Sequence, residues 1–111
     1  MKPLAIVETE EESRELGRLG IDSCTMLGVL EMLAVPAKKE MVGFPALVLP
    51  DNDAFGADFA QAAAVSLRSM YFSVRIKSLY VGLENYGKGP LDFVAEHVTV
   101  HPRILAQEIL A

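Results

Sequence analysis

The sequence predicts an α+β sandwich with the element order β-α-β-β-α-β, and three observations carry that prediction. Leu4-Ala5-Ile6-Val7 reads as a short buried strand that runs directly into Glu8-Thr9-Glu10-Glu11-Glu12. Thr9 and Glu12, three residues apart, make a capping-box pair, so a helix starts there without a loop. Two further strand-like runs, an alanine-rich helix and a fourth strand follow. This order restricts the fold to the split-βαβ sandwiches of ferredoxin-like type.

Each element has its own signal. Helix one is expected from about Glu10 to Met26, with Leu16, Leu19 and Met26 as apolar bulk. Ser13, Gly17, Gly20 and Cys24 form a small-residue stripe along it. An interior glycine costs about 1 kcal/mol relative to alanine, so the stripe suggests a close backbone approach, and Gly17, Gly20 and Cys24 become candidates for a subunit interface. Val29–Val35 is expected as strand two, stopped by Pro36, and Phe44–Leu49 as strand three. Pro45 cannot donate to a ladder, which puts it at a bulge or on an unpaired side. Pro50-Asp51-Asn52-Asp53 breaks that strand and caps a second helix, about Asn52 to Met70, followed by strand four at Ser73–Val81. Residues 1–81 therefore make the α/β domain. Residues 82–111 form a C-terminal extension packed on it, with short helical pieces at about Leu91–His97 and Pro102–Leu110.

Composition bounds the function. A chain of 111 residues is one domain, and its 51% hydrophobic content points to extensive subunit contacts. No apolar run reaches the roughly 18 residues of a membrane span, and four acids directly after Val7 do not fit a secretory leader. One cysteine excludes an internal disulfide and fits a reducing cytosol. A formal charge of −5 without a basic run argues against nucleic acid as a partner. The acids concentrated in helix one read as a solvated face.

Few constellations suggest chemistry. Gly82-Leu83-Glu84-Asn85-Tyr86-Gly87-Lys88 has the spacing of a phosphate-binding loop, but Gly89-Pro90 stands where the Mg²⁺-binding hydroxyl belongs, so it reads as a turn. His97 and His101 would share a face on a continuous helix, with Glu96 beside them, but Pro102 and three β-branched residues oppose that helix. Cys24 reads as a small buried hydrophobe. No nucleophile–base pair is legible, and any two of the fifteen acids could meet as a general-acid pair. No catalytic residue, metal site or cofactor is expected.

Leu4-Ala5-Ile6-Val7-Glu8-Thr9 resembles the opening strand of bacterial microcompartment (BMC-domain) shell proteins. Gly28-Val29-Leu30-Glu31-Met32-Leu33 stands in the place of that family's second strand. Phe44–Leu49, Asp51–Asp53, Gln61-Ala62-Ala63-Ala64 and Val74–Val81 follow at similar spacing. The likeness covers roughly residues 3–81. Cys24 or Thr25 falls where the family has an edge lysine, and Val81-Gly82-Leu83-Glu84 replaces its phrase after strand four, which would make this a divergent member. The resemblance implies a structural, non-enzymatic protein forming cyclic homohexamers in a cytoplasmic microcompartment shell, with other shell proteins and encapsulated enzymes as partners. Ala37, Lys38, Lys39 and Glu40 would then line an axial pore for small metabolites. The alternative with the same element order is a small-molecule-sensing regulatory domain of ACT or PII-like type.

Overall fold

The computed structural model describes residues 2–33 and 43–111, without the side chains of Met32 and Leu33. The expected pore residues Ala37, Lys38, Lys39 and Glu40, and most of the turn carrying them, lie outside the described residues. The fold is an α/β domain built on a four-stranded sheet. Its strands are β1 (Leu4–Ile6), β2 (Ser23–Cys24), β3 (Pro45–Val48) and β4 (Ser73–Ile76). Among the described residues every pairing is parallel, and the order across the sheet is β2-β1-β3-β4. Helices α1 (Glu10–Arg18), α2 (Met26–Leu33) and α3 (Ala54–Ser69) connect successive strands. Two more, α4 (Pro90–Glu96) and α5 (Pro102–Leu110), follow a short 3₁₀ turn at Leu83–Asn85.

The ferredoxin-like β-α-β-β-α-β order is thereby corrected to β-α-β-α-β-α-β, and two local causes account for it. The first is the end of α1, eight residues earlier than expected. Gly20 takes a left-handed φ of +82°, its N–H donates to Gly17 O at 3.0 Å, and the Ile21 N–H donates to Leu16 O at 3.1 Å. This is a Schellman stop, with Leu16 and Ile21 both buried in one core. The chain then has room for β2, where Cys24 sits in a strand and not on a helix stripe. The second cause is Thr25. Its Oγ1 accepts the Gly28 N–H at 3.3 Å and the Val29 N–H donates to Thr25 O at 3.1 Å, which starts a helix where a strand was expected. With a helix between them, β2 and β3 no longer form a hairpin, and β3 pairs parallel to β1.

Strand alternation splits the core. Ala5, Val7, Leu47 and Leu49 face α1 and α5, packing with Leu16, Leu105 and Ile109. Ile6, Ala46 and Val48 face α2 and α3, packing with Val29, Ala60, Ala63 and Leu67. Residues of the C-terminal segment thus complete one of the two faces. On the edge strand, Arg75 donates to the carbonyls of Leu110 and Ala111 at 2.9 and 2.7 Å, and Lys77 to that of Glu108 at 2.6 Å. Cations at a helix C-terminus satisfy its orphan carbonyls and oppose its dipole. Pro45 opens β3 at the residue where a missing N–H costs least. Among the described residues no helix is long and apolar enough to cross a membrane.

Candidate functional site

Strand β1 sends the chain to one side of the sheet, to β2, and the return through α2 places β3 on its other side. The carboxyl ends of β1 and β3 therefore flank the point where the winding reverses, which is where open α/β sheets leave a ligand crevice. Val7-Glu8 leaves β1 there, and Leu49-Pro50-Asp51-Asn52-Asp53 leaves β3. The Leu49 N–H donates to Ile6 O at 2.9 Å, so the two strand ends stay in register to this edge.

Three carboxylates converge. Glu8 Oε2 accepts the Asp51 backbone N–H at 3.0 Å across 43 residues of sequence. Glu12 is only 2% exposed. Its Oε1 accepts from the Thr9 N–H at 3.1 Å and the Thr9 hydroxyl at 3.0 Å, while Thr9 Oγ1 accepts the Glu12 N–H at 3.2 Å. The capping box thus forms as the sequence predicts, and it holds one carboxylate oxygen. The other, Oε2, is buried and, among the described residues, has no donor while Asp51 is ionised. Asp51 lies within hydrogen-bonding range of both Glu8 and Glu12. Carboxylates facing one another offer acceptors to acceptors, which a proton or a cation between them resolves. Burial and the charges of Glu12 and Glu8 push the Asp51 carboxyl up to about 7. Burial likewise raises Glu12, against the lowering effect of its hydrogen bonds.

Asp51 is held from two further sides. A methyl group at Gly56 would overlap the Asp51 backbone carbonyl, and one at Gly89 would overlap its Oδ1, so both positions need glycine for close approach. Asp53 caps α3, its Oδ1 accepting the Gly56 N–H at 2.7 Å. That cap turns the N-terminus of a sixteen-residue helix, with its partial positive charge, toward the same edge.

The residues singled out from the sequence lie elsewhere. Gly17 and Gly20 are exposed, and a methyl at either would meet nothing within 4 Å, so neither marks a close approach inside the chain. Cys24 is half-buried on β2, where burial, with Glu10 nearby, lifts its thiol to about 11. His97 caps the end of α4 and His101 the start of α5: His97 Nδ1 donates to Phe93 O at 2.6 Å, and His101 Nδ1 accepts the Arg103 N–H at 3.1 Å. Lys88, the lysine of the loop-like motif, pairs with Glu96 at 2.9 Å and lies 5.2 Å from the Tyr80 ring centre.

What sequence reading missed is Glu8, Glu12 and Asp51 as a group. An acid two residues past the first strand, together with Asp-x-Asp starting three residues past the third, is the signal that finds them once the sheet is taken as parallel. The described residues include no set of three or more His, Cys, Asp or Glu side chains arranged to hold a metal ion by themselves. Mg²⁺ does not require such a cage: one or two carboxylates suffice when water and substrate phosphates complete its octahedron. Comparison with protein families, curated proteins and solved structures gives no match.

Proposed function

We propose that this chain is a magnesium-dependent domain of the phosphoryl-transfer class, with its cation at Glu8 and Asp51, beside the buried Glu12. The observation that carries the reading is Glu12 Oε2, a buried acceptor that has no donor among the described residues while Asp51 is ionised, set in a cluster of facing carboxylates. Leaving such a group unsatisfied costs about 1–3 kcal/mol. A divalent cation at Glu8 and Asp51 offsets the mutual repulsion and places positive charge beside the buried oxygen.

The choice of ligand class follows from charge. Three facing carboxylates in a chain of net charge −5 disfavour a bare phosphate at this edge, and Mg²⁺ in an open carboxylate site takes phosphate oxygens as its remaining ligands. Bound there, the ion would supply Lewis-acid polarisation of a phosphoryl oxygen. Asp51 and Glu8 would hold it. Glu12, fixed through Thr9, keeps the carboxylate array from turning away. The N-terminus of α3 adds a favourable field for the anionic group.

Pyrophosphate binding tests the reading. In the presence of Mg²⁺ the chain should bind inorganic pyrophosphate saturably, and the binding should vanish with EDTA or with Asp51→Asn. Equal binding with and without Mg²⁺, or none at all, would refute it.

Among the described residues an all-parallel sheet stands where the element order of microcompartment shell proteins would give adjacent strands two and three. Self-association, including a hexamer, is a separate proposal supported by exposed apolar side chains such as Phe55, Val65 and Leu83. Sedimentation at micromolar concentration tests it, and a monomer would remove it.

A further inference from the structure

We infer that Asn52 is a positioning residue that clamps the Gly82–Gly89 loop over the carboxyl edge and so fixes the Asp51 carboxylate for its cation. The inference rests on the magnesium reading above. Asn52 stands between the two aspartates of Asp51-Asn52-Asp53, and its four hydrogen bonds among the described residues all go to one loop. Its N–H donates to Lys88 O at 2.8 Å and its carbonyl accepts the Gly87 N–H at 2.8 Å. Its side-chain amide donates to Gly82 O at 2.9 Å and to Asn85 O at 3.0 Å. Both amide protons are therefore used on backbone carbonyls, a task that neither aspartate nor serine performs, the first lacking donors and the second having only one.

The loop has the shape this clamp requires. Gly82 and Gly87 both take left-handed φ values, +88° and +83°, and the 3₁₀ turn between them is fastened from inside by Asn85 Nδ2 donating to Val81 O at 3.1 Å. At its far end Gly89 is buried with its Cα directly against Asp51 Oδ1, and the Gly89 N–H is drawn away to Asp92 Oδ2 at 2.9 Å. The loop thus presses on one side of the carboxylate whose other side meets Glu8 and Glu12. Asn52 determines whether that pressure is applied. It touches neither cation nor substrate, and it acts through Asp51.

Magnesium calorimetry on the whole chain, with amide hydrogen exchange as a second readout, tests the assignment. Loss of an outer partner of a metal ligand typically weakens metal affinity 10- to 100-fold. Asn52→Ala should therefore raise the Mg²⁺ Kd at least tenfold while Gly87 amide exchange speeds up. Faster Gly87 exchange with an unchanged Kd would overturn the positioning role, because it leaves Asn52 as a loop fastener only. Unchanged exchange would overturn the clamp itself. Should Asn52→Ala fail to fold, Gly89→Ala attacks the same contact from the loop side, and an unchanged Kd there also overturns the inference. Absence of Mg²⁺ binding by the parent chain is a different result, which removes the magnesium reading on which the inference stands.

Discussion

Replacing Glu12 by glutamine should stabilise the metal-free protein and blunt its response to Mg²⁺. Glutamine keeps an oxygen for the Thr9 N–H and hydroxyl, which Glu12 Oε1 now accepts at 3.1 and 3.0 Å. Its amide nitrogen takes the place of the buried Oε2 that has no donor and faces ionised Asp51 instead of repelling it. A hydrogen bond to a charged group contributes about 1.5–3 kcal/mol, and relieving an unsatisfied buried acceptor is of similar size. These describe one event and do not add, so the expected gain is about 1–3 kcal/mol at pH 8 in EDTA. For a domain of about this size each kcal/mol moves Tm by roughly 4–8 °C. Urea denaturation with matched m values is the assay, with Tm as a check. At pH 5 the gain should shrink, because a protonated Asp51 can itself donate to Glu12. Millimolar Mg²⁺ should raise the Tm of the parent more than that of the variant, since a ligand stabilises only the fold that binds it. A metal-free Glu12→Gln protein less stable than the parent at pH 8, with m unchanged, would refute the reasoning.

Two further predictions concern backbone and titration. Tyr71 closes α3 with a φ of +68° and is 71% exposed, so Tyr71→Gly should relieve left-handed strain and raise stability by about 1 kcal/mol, measured by urea denaturation; a loss would show that the ring packs. The Asp51 carboxyl sits near 7 in the fold against an ordinary 3.8, so between those values the folded state holds more protons than the unfolded one. Metal-free stability should therefore fall as pH rises from about 4 to about 7 through this group, and Asp51→Asn should flatten that part of the profile; an unchanged slope contradicts the carboxylate cluster.

Much of the local structure is legible in the sequence because it is written within a few residues. Thr9 with Glu12, Pro50 to Asp53, and Pro102 at a first turn mark helix starts that the structure keeps. Met26 to Leu33 is apolar nearly all round, so periodicity cannot separate strand from helix there, and Thr25 decides it through one cap. That single element puts a helix where a turn between two strands was expected, and β3 then pairs parallel to β1. Gly20 read as a packing position is a helix stop, a use that Leu16, Gly20 and Ile21 together do announce. The carboxylate site could not be read without the sheet, since Glu8 and Asp51 meet only because β1 and β3 are neighbours. Glu12 hid behind its own cap: one oxygen explains the sequence pattern, and the other is the buried acceptor of the candidate site.

The most direct measurement of the central claim is Mg²⁺ titration by calorimetry at pH 8, with Mn²⁺ relaxation as an independent readout. The parent chain should bind a divalent cation saturably, and Glu8→Gln and Asp51→Asn should each abolish or severely weaken that binding while the far-UV spectrum stays that of the parent. No saturable binding at millimolar Mg²⁺, or binding that both substitutions leave intact, would contradict a cation site at the carboxyl ends of β1 and β3.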